Sequence, residues 1–294
     1  MKRLSNSDKL FLIVDHALLV LLLIIILYPL LYVVMASVAA GPYSMTPYLI
    51  PKKFSFEGYK AVIQYKGIWT GYANSLINMV LGTLLNLFVT MCCAYPLSRP
   101  DFKFCKVVMT LCMVTMYFGG GLIPSYLLVR NLGILNTRWS LILPGAMSVY
   151  NMIVTRTYIM SAIPGDIREA AQIDGCGNIR YLASVVLPLS KPILAVIGLF
   201  CAVGIWNSYF DAMIYVPAKR DLYPLSLILR EILVTGDHAL ELLQDDAEAL
   251  MALEERKNVM KYAVIVVSSL PVMAIYPFVQ KFFVKGVMIG SVKG

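Results

Sequence analysis

The chain has 294 residues, 59% of them apolar and 14% charged, with a formal net charge of +8 and a mean hydropathy of +0.75. Soluble domains carry about 45–50% apolar and about 25% charged residues, so there is too little charge here to cover a water-facing surface. These proportions exclude an ordinary soluble enzyme or binding module and place much of the chain in a bilayer. The basic residues are scattered, which fits charges at membrane edges and not a nucleic-acid partner. The six cysteines (Cys92, Cys93, Cys105, Cys112, Cys176, Cys201) show no C-x-x-C spacing and mostly sit in apolar runs. They read as small buried hydrophobes, with no disulfide or metal site expected.

The polar start, 1–9, is followed by an apolar run at 10–35 broken only by Asp15 and His16. Signal-peptide cores are about 7–15 residues long, so this run is too long and reads as a retained first span. A spanning helix needs about 20 apolar residues. Five further runs qualify: 73–97, 106–128, 139–160, 192–216 and 262–283. The expected fold is an all-α integral membrane protein with a six-helix domain over 10–284. Its outer loops are 41–72 and 217–261, its third long connection is 161–191, and a tail follows at 285–294.

Six spans place both termini on one side. With 1–9 inside, the inner segments carry Arg99, Lys103, Arg168, Arg180 and Lys191, among others. The outer loops, with Lys52, Lys53, Lys60, Lys66, Lys219 and Arg220, are nearly as basic, so charge alone leaves orientation open. Pro29, Gly119–Gly120–Gly121, Pro124, Pro144 and Pro271 fall inside or at the ends of the runs. Kinked helices suit a gated pathway, but they are also common in membrane bundles generally.

Polar residues within spans are functional candidates. Asn74, Asn78 and Asn86 share one face of the second run by their offsets of four and eight, and Asn151 lies deep in the fourth. Hydrogen bonding between helices is the simpler role for each of these amides. In the fifth run, Trp206, Asn207, Tyr209 and Asp211 combine amide, carboxylate and aromatic faces suited to sugar hydroxyls and rings. Asn207 and Asp211, four apart, are expected on one lumen-facing side with Trp206 packed beside them or at the interface; for Asp211, hydrogen bonding within the bundle near the outer interface is an equally good reading.

Between the fourth and fifth runs stands IPGDIREAAQIDG, 163–175. Pro164 suits the first helical position, Asp166 and Glu169 suit the positive end of the dipole, and Gly175 suits a left-handed stop. A helix over 164–174 is expected, then a second over 178–186, ending before Leu187-Pro188. Ala170 and Ala171 allow close approach, and Glu169 and Asp174 offer carboxylates to a basic partner. From these residues alone, a solvated loop and a docking element are equally good readings. Further on, Leu240, Leu243, Ala247, Leu250 and Leu253 recur at helical offsets. The opposite face carries Asp245, Asp246 and Glu248, acids poorly suited to anionic lipid, which reads as a receptor-facing, bundle-capping or merely solvated surface.

Glu169-Ala170-Ala171, Asp174-Gly175, Val185 after nine more residues, and Leu187-Pro188 together resemble the EAA motif of ABC importer permeases, with Val185 where Ile is usual. FGGGLIPSYLLVRNLGILNTRWSLILPGAM, WNSYFDAMIYVP, YPLSLILREIL and YPFVQKFFVKGVMIGSVKG are similar to carbohydrate permeases of the maltose-permease type, closest to the branch for complex oligosaccharides. The resemblance implies a six-helix permease with a cytoplasmic coupling helix and both termini cytoplasmic, in a bacterial plasma membrane. It implies oligosaccharide import with a second homologous permease, two ATPase subunits and an extracytoplasmic solute-binding lipoprotein or periplasmic protein. ATP and Mg would sit on the ATPase, and this chain would hold no cofactor. In agreement, there is no G-x-x-x-x-G-K-[ST] loop, and His16 and His238 neighbour no reactive cluster, so the chain does not read as an enzyme. The alternative, a self-sufficient secondary transporter or channel, calls for inverted repeats and carboxylates within spans. No convincing repeat is visible, and few acids lie inside the runs.

Overall fold

A computed structural model describes residues 5–40, 50, 51, 53–235, 260–274, 277 and 280. Helices dominate, and the sole β feature among the described residues is an isolated antiparallel bridge between Ala39 and Phe54. The chain divides into two units, one of residues 1–66 with 229–270 and one of residues 67–228 with 271–294.

The first unit holds α1 (Asn6–Ser37) and α2 (Glu57–Gln64). The backbone N–H of Ser5 donates to the Asp8 carboxylate at 3.0 Å, satisfying one free donor where α1 begins. The most apolar stretch of α1 buries no residue within the chain. Past the helix end, the Ser37 hydroxyl and the Tyr59 hydroxyl of α2 lie 2.7 Å apart. Tyr32 of α1 meets Tyr262 edge-on at 6.0 Å; Tyr262 belongs to a later apolar helix, Met260–Ala274.

The second unit is organised on α3 (Lys66–Ser98), a continuous helix of 33 residues. It is followed by α4 (Cys105–Tyr117), α5 (Leu122–Asn131), α6 (Trp139–Ile142) and α7 (Val149–Ala162). Then come α8 (Gly165–Ile173), α9 (Asn178–Leu189), α10 (Lys191–Asn207), α11 (Phe210–Tyr215) and α12 (Leu225–Arg230).

Three of the six expected runs are interrupted. Run 106–128 breaks at Gly119–Gly121, where α4 and α5 meet at 114°. Run 139–160 breaks after Ile142, around Pro144-Gly145, and run 192–216 breaks at Ser208-Tyr209. A further bend of 77° separates α9 from α10 at Ser190. Among the described residues α1 and α3 are long and apolar enough to cross a membrane, and there are four such spans if each bent pair is counted as one.

Buried non-helical backbone must find partners, because each buried polar group left unpaired costs about 1–3 kcal/mol. Polar side chains of α3 supply several of them. The Asn86 amide donates to the Gly145 carbonyl at 3.1 Å, inside the break of the fourth run. The Asn74 amide donates to the carbonyls of Asp221 and Tyr223 at 2.7 and 3.1 Å. Ser75 Oγ accepts from the Leu225 N–H at 2.9 Å. At the fifth-run break, the Ser226 hydroxyl donates to the Ser208 carbonyl at 2.7 Å. The buried polar face of α3 thus serves to satisfy broken backbone.

Gly71 lets α12 lie directly on that face. A Cβ there would stand 2.6 Å from Ile228 Cδ1 and 3.1 Å from the Leu225 Cα, and the second of these cannot move aside. At the other end of α3, Met91, Ala94, Tyr95 and Leu97 pack with Met152, Ile159 and Ile163 of the α7 region and with Tyr181 and Val186 of α9. This cluster is the floor on which α8 rests.

Candidate functional site

The polar stretch 163–175 forms α8 between two sharp stops. Pro164 is one residue earlier than expected, at the N-cap with ψ 143°, and Gly165 opens the helix. At the other end Gly175 is left-handed, φ +73°. Its N–H donates to Gln172 O at 3.0 Å, and the Cys176 N–H donates to Ala171 O at 2.8 Å. This pair of bonds is the Schellman arrangement, which satisfies the last carbonyls and sharply ends the helix.

The faces of α8 are distinct. Gly165, Arg168, Glu169 and Gln172, at offsets of three and four, line a cleft of about 980 Å³. Ala171 packs on the core floor. Ala170 and Asp174 are exposed, as is Ile173, whose side chain has 86% of its surface open. Ile179, just past the stop, is 84% open. The sequence reading singled out Ala170 and Ala171 and overlooked these two isoleucines. The available signal was an apolar residue on the polar side of a short amphipathic helix.

The second helix runs three residues beyond its expected end, to Leu189, and contains Leu187 and Pro188. A π turn at Leu182–Val186 lets it do so, with the Leu187 N–H reaching the Leu182 carbonyl. Widening the helix immediately before Pro188 relieves the clash that its ring makes with the preceding turn.

A clasp fixes α8 from the side. Between α3 and α4, Arg99 binds the Asp101 carboxylate with two nitrogens, one at 3.0 Å. Asp101 also pairs with Arg168 of α8 at 3.0 Å. A further Arg99 nitrogen donates to the Asn178 side chain at the start of α9, and to the Tyr95 hydroxyl at 3.4 Å. The Arg99 bonds hold Asp101 well below the usual carboxylate range, at about 2. One short loop therefore holds α8 and also the start of the helix that follows it. The sequence reading missed this clasp entirely.

The expected pathway residues divide. Asn207 and Asp211 are both exposed, but the helix on which their four-residue offset was argued ends at Asn207. Asp211 instead sits in the first turn of α11, accepting from Ser208 Oγ at 3.2 Å, while the Asn207 amide turns back to Val203 O at 2.9 Å. Tyr209 is exposed in the break. Trp206 is buried and edge-on to Tyr72 at 5.6 Å.

The amides lie deeper in the bundle. Asn78 Oδ1 and Asn74 Oδ1 accept from the two terminal nitrogens of Arg138 at 2.8 and 2.7 Å. Asn151 is buried, with its amide 3.4 Å from Cys201 Sγ, which in turn donates to Asn86 at 3.0 Å. Hydrogen bonding within the bundle is therefore what these side chains do in the structure. Arg138 went unnoticed in the sequence, although two amides four apart on a helix present the paired oxygens that a guanidinium fork fits. Asp245, Asp246 and Glu248 lie outside the described residues. Among the described residues no group of three or more His, Cys, Asp or Glu side chains could hold a metal.

No family model matches the sequence. The chain is 37% identical over 272 residues to Protein LplC of Bacillus subtilis (strain 168), covering 92% of this chain and 90% of that protein. It is 35% identical over 290 residues to the polygalacturonan/rhamnogalacturonan transport system permease protein YtcP of the same organism, covering 98% and 100%. Its fold matches a chain in the crystal structure of a bacterial ABC transporter involved in the import of the acidic polysaccharide alginate. That match has a TM-score of 0.85 at 34% identity, over 96% of this chain and all of the other.

Proposed function

The chain belongs to the sugar ABC transporter permeases, a family of transport subunits and not of enzymes or self-sufficient carriers, and we propose that it forms one transmembrane half of an importer for acidic oligosaccharides. In this reading six spans carry both termini on the cytoplasmic side of a bacterial plasma membrane. A second permease, two ATPase subunits with ATP and Mg, and an extracytoplasmic receptor complete the assembly. The acidic substrate is supported by the similarity to an alginate importer and to a polygalacturonan/rhamnogalacturonan permease; uronate-rich sugars bear one carboxylate per acidic ring.

The observation that carries the coupling role is α8 itself. It is a short helix with a Schellman stop, clasped on one side and presenting an exposed Ile173 on another. In this reading Ile173 seats in an apolar groove of the ATPase, as the apolar side chains of a docking helix do in a partner's groove. Glu169, Ala170, Ala171, Asp174 and Gly175 form this docking element, with Leu187 and Pro188 ending the arm behind it. ATP-driven closure of the ATPases would move the arm and swing the spans. On the outer side, Asn207, Tyr209 and Asp211 are the pathway residues, with Trp206 as their support. Asn78 and Asn151 are secondary pathway candidates, and Asp245, Asp246 and Glu248 are the receptor-facing candidates.

The test is co-purification of an ATPase with the tagged chain, followed by uptake of labelled oligouronate and of a neutral oligosaccharide of equal length in reconstituted vesicles. The proposal expects ATP-dependent uptake of the acidic sugar. Purification without an ATPase defeats the coupling role, and preferential uptake of the neutral sugar defeats the substrate class.

A further inference from the structure

The cleft beside α8 has features that coupling does not use. It lies where α3 ends, α4 begins and α7 ends, which in the membrane reading proposed above is the boundary between membrane and water. Its floor is apolar, formed by buried Leu97, Ile159 and Ile163, with a half-exposed Met160 at the side. Its rim is cationic. Of the five basic residues lining it, Arg99 and Arg168 are engaged by Asp101. Lys103, Lys106 and Arg156 form no ion pair among the described residues, and the only other acid on the lining is Glu169.

Arg156 is the most constrained of the three. It is half-buried, and its Nε donates to the Leu97 carbonyl at 2.7 Å. That bond places the guanidinium at the C-terminal end of α3, where a cation is favoured. A terminal nitrogen reaches only the weak acceptor Cys105 Sγ, at 3.9 Å. The wall that continues away from the cleft is α4, which buries none of its residues and exposes Val107 and Leu111. A molecule occupying this cleft meets three cations that form no ion pair among the described residues, beside the exposed apolar side chains Val107, Leu111 and Val114 of α4.

We infer that the cleft lined by Lys103, Lys106 and Arg156 binds an anionic phospholipid, its headgroup phosphate on the three cations and its acyl chains along the apolar floor and the face of α4. A soluble anion satisfies the rim and leaves the floor uncovered, and a zwitterionic lipid brings a second cation against the rim. Basic residues near a membrane surface each favour anionic lipid by a modest increment, and the increments add. The site would link the lipid composition around the protein to the setting of α8, since Arg168 and Glu169 line the same cleft.

The test uses the complete importer purified in detergent and exchanged into mixtures of phosphatidylglycerol and phosphatidylcholine with identical acyl chains. Retained lipid is counted by native mass spectrometry. The intact protein is expected to retain phosphatidylglycerol in preference, and K103Q/K106Q, which alters only two exposed side chains, to lower that preference about tenfold. Arg156→Gln is expected to lower it further, with Arg156→Lys recovering most of it. Equal retention of the two lipids by the intact protein overturns the inference, as does an unchanged preference in K103Q/K106Q. Displacement of phosphatidylglycerol by inorganic phosphate alone also overturns it, by showing a free-anion site. Lipid is counted without turnover, so a failure of sugar import and a failure of this site give different results.

Discussion

Asp101 and Arg168 stand 3.0 Å apart, joining the turn between α3 and α4 to the middle of α8. The Asp101 side chain is about half exposed, so the pair adds little to global stability, on the order of 0.2–1 kcal/mol for exposed pairs. Its consequence is positional. Asp101→Asn is expected to leave expression and ATPase association intact while lowering sugar uptake per ATP hydrolysed by up to about fivefold, the equivalent of a loss of up to about 1 kcal/mol. Uptake and hydrolysis measured together in proteoliposomes check it.

The same pair sets a pH expectation. The folded-state pKa of Asp101 is lowered from 3.8 to about 2, mainly by the Arg99 hydrogen bonds. A carboxylate lowered on folding contributes stability that is complete above its unfolded value and lost as pH falls through the folded one. The clasp is therefore fully formed throughout the neutral range. The coupling ratio of Asp101→Asn relative to the parent should be flat between about pH 6 and 8, and a pH titration of the two proteins in parallel decides this.

Gly175 holds a left-handed backbone with open space around its Cα, so conformation and not crowding dictates the residue. Gly175→Val forces a β-branched side chain into that region at a cost of about 1–2 kcal/mol, unwinding the stop. Uptake should fall about five- to thirtyfold, whereas Gly175→Asn, which tolerates this conformation, should keep most activity. Transport assays on both variants at matched expression separate the outcomes.

Ile173 and Ile179 are open in this chain, so replacing them with Ser removes no internal packing. Thermal stability of the isolated permease is expected to stay level. Burial of one such side chain at an interface contributes about 1.5–3 kcal/mol, so each single variant should bind the ATPase roughly ten- to a hundredfold more weakly. A pull-down titration with the ATPase, alongside a melting curve, checks both halves of the statement.

Arg138 gives the opposite pattern. Its forked contact with Asn74 and Asn78 involves a charged donor, and such bonds contribute about 1.5–3 kcal/mol each. Arg138→Lys keeps the charge and loses the fork. It should lower the melting temperature and the yield of assembled complex. Full assembly with selectively lost transport would instead place Arg138 on the sugar route.

Much of this was legible in the sequence. The apolar runs at 10–35 and 73–97 are continuous helices because nothing within them breaks the backbone ladder except Pro29 and Pro96, which α1 and α3 absorb. The runs at 106–128, 139–160 and 192–216 read as equally continuous because average hydropathy does not register a break. Gly119–Gly121 and Pro144-Gly145 did carry that information as turn chemistry. Ser208-Tyr209 carried none, since the Ser226 hydroxyl that stabilises this break lies in the next segment. The α8 stop was readable because the Schellman geometry is local. The Asp101 clasp and the Arg138 fork were not, because each joins residues far apart in the chain whose pairing only the fold creates.

The bare surface of α1 bears on how the protein is made. Its most apolar stretch buries no residue among the described ones, so side-chain partitioning drives its transfer from translocon to lipid, with each central Leu or Ile favourable by about 0.3–0.6 kcal/mol. During synthesis α1 can settle in the bilayer as an anchor, tethering the nascent chain while the interrupted helices, whose broken backbone takes partners from α3 and from Ser226, have yet to emerge.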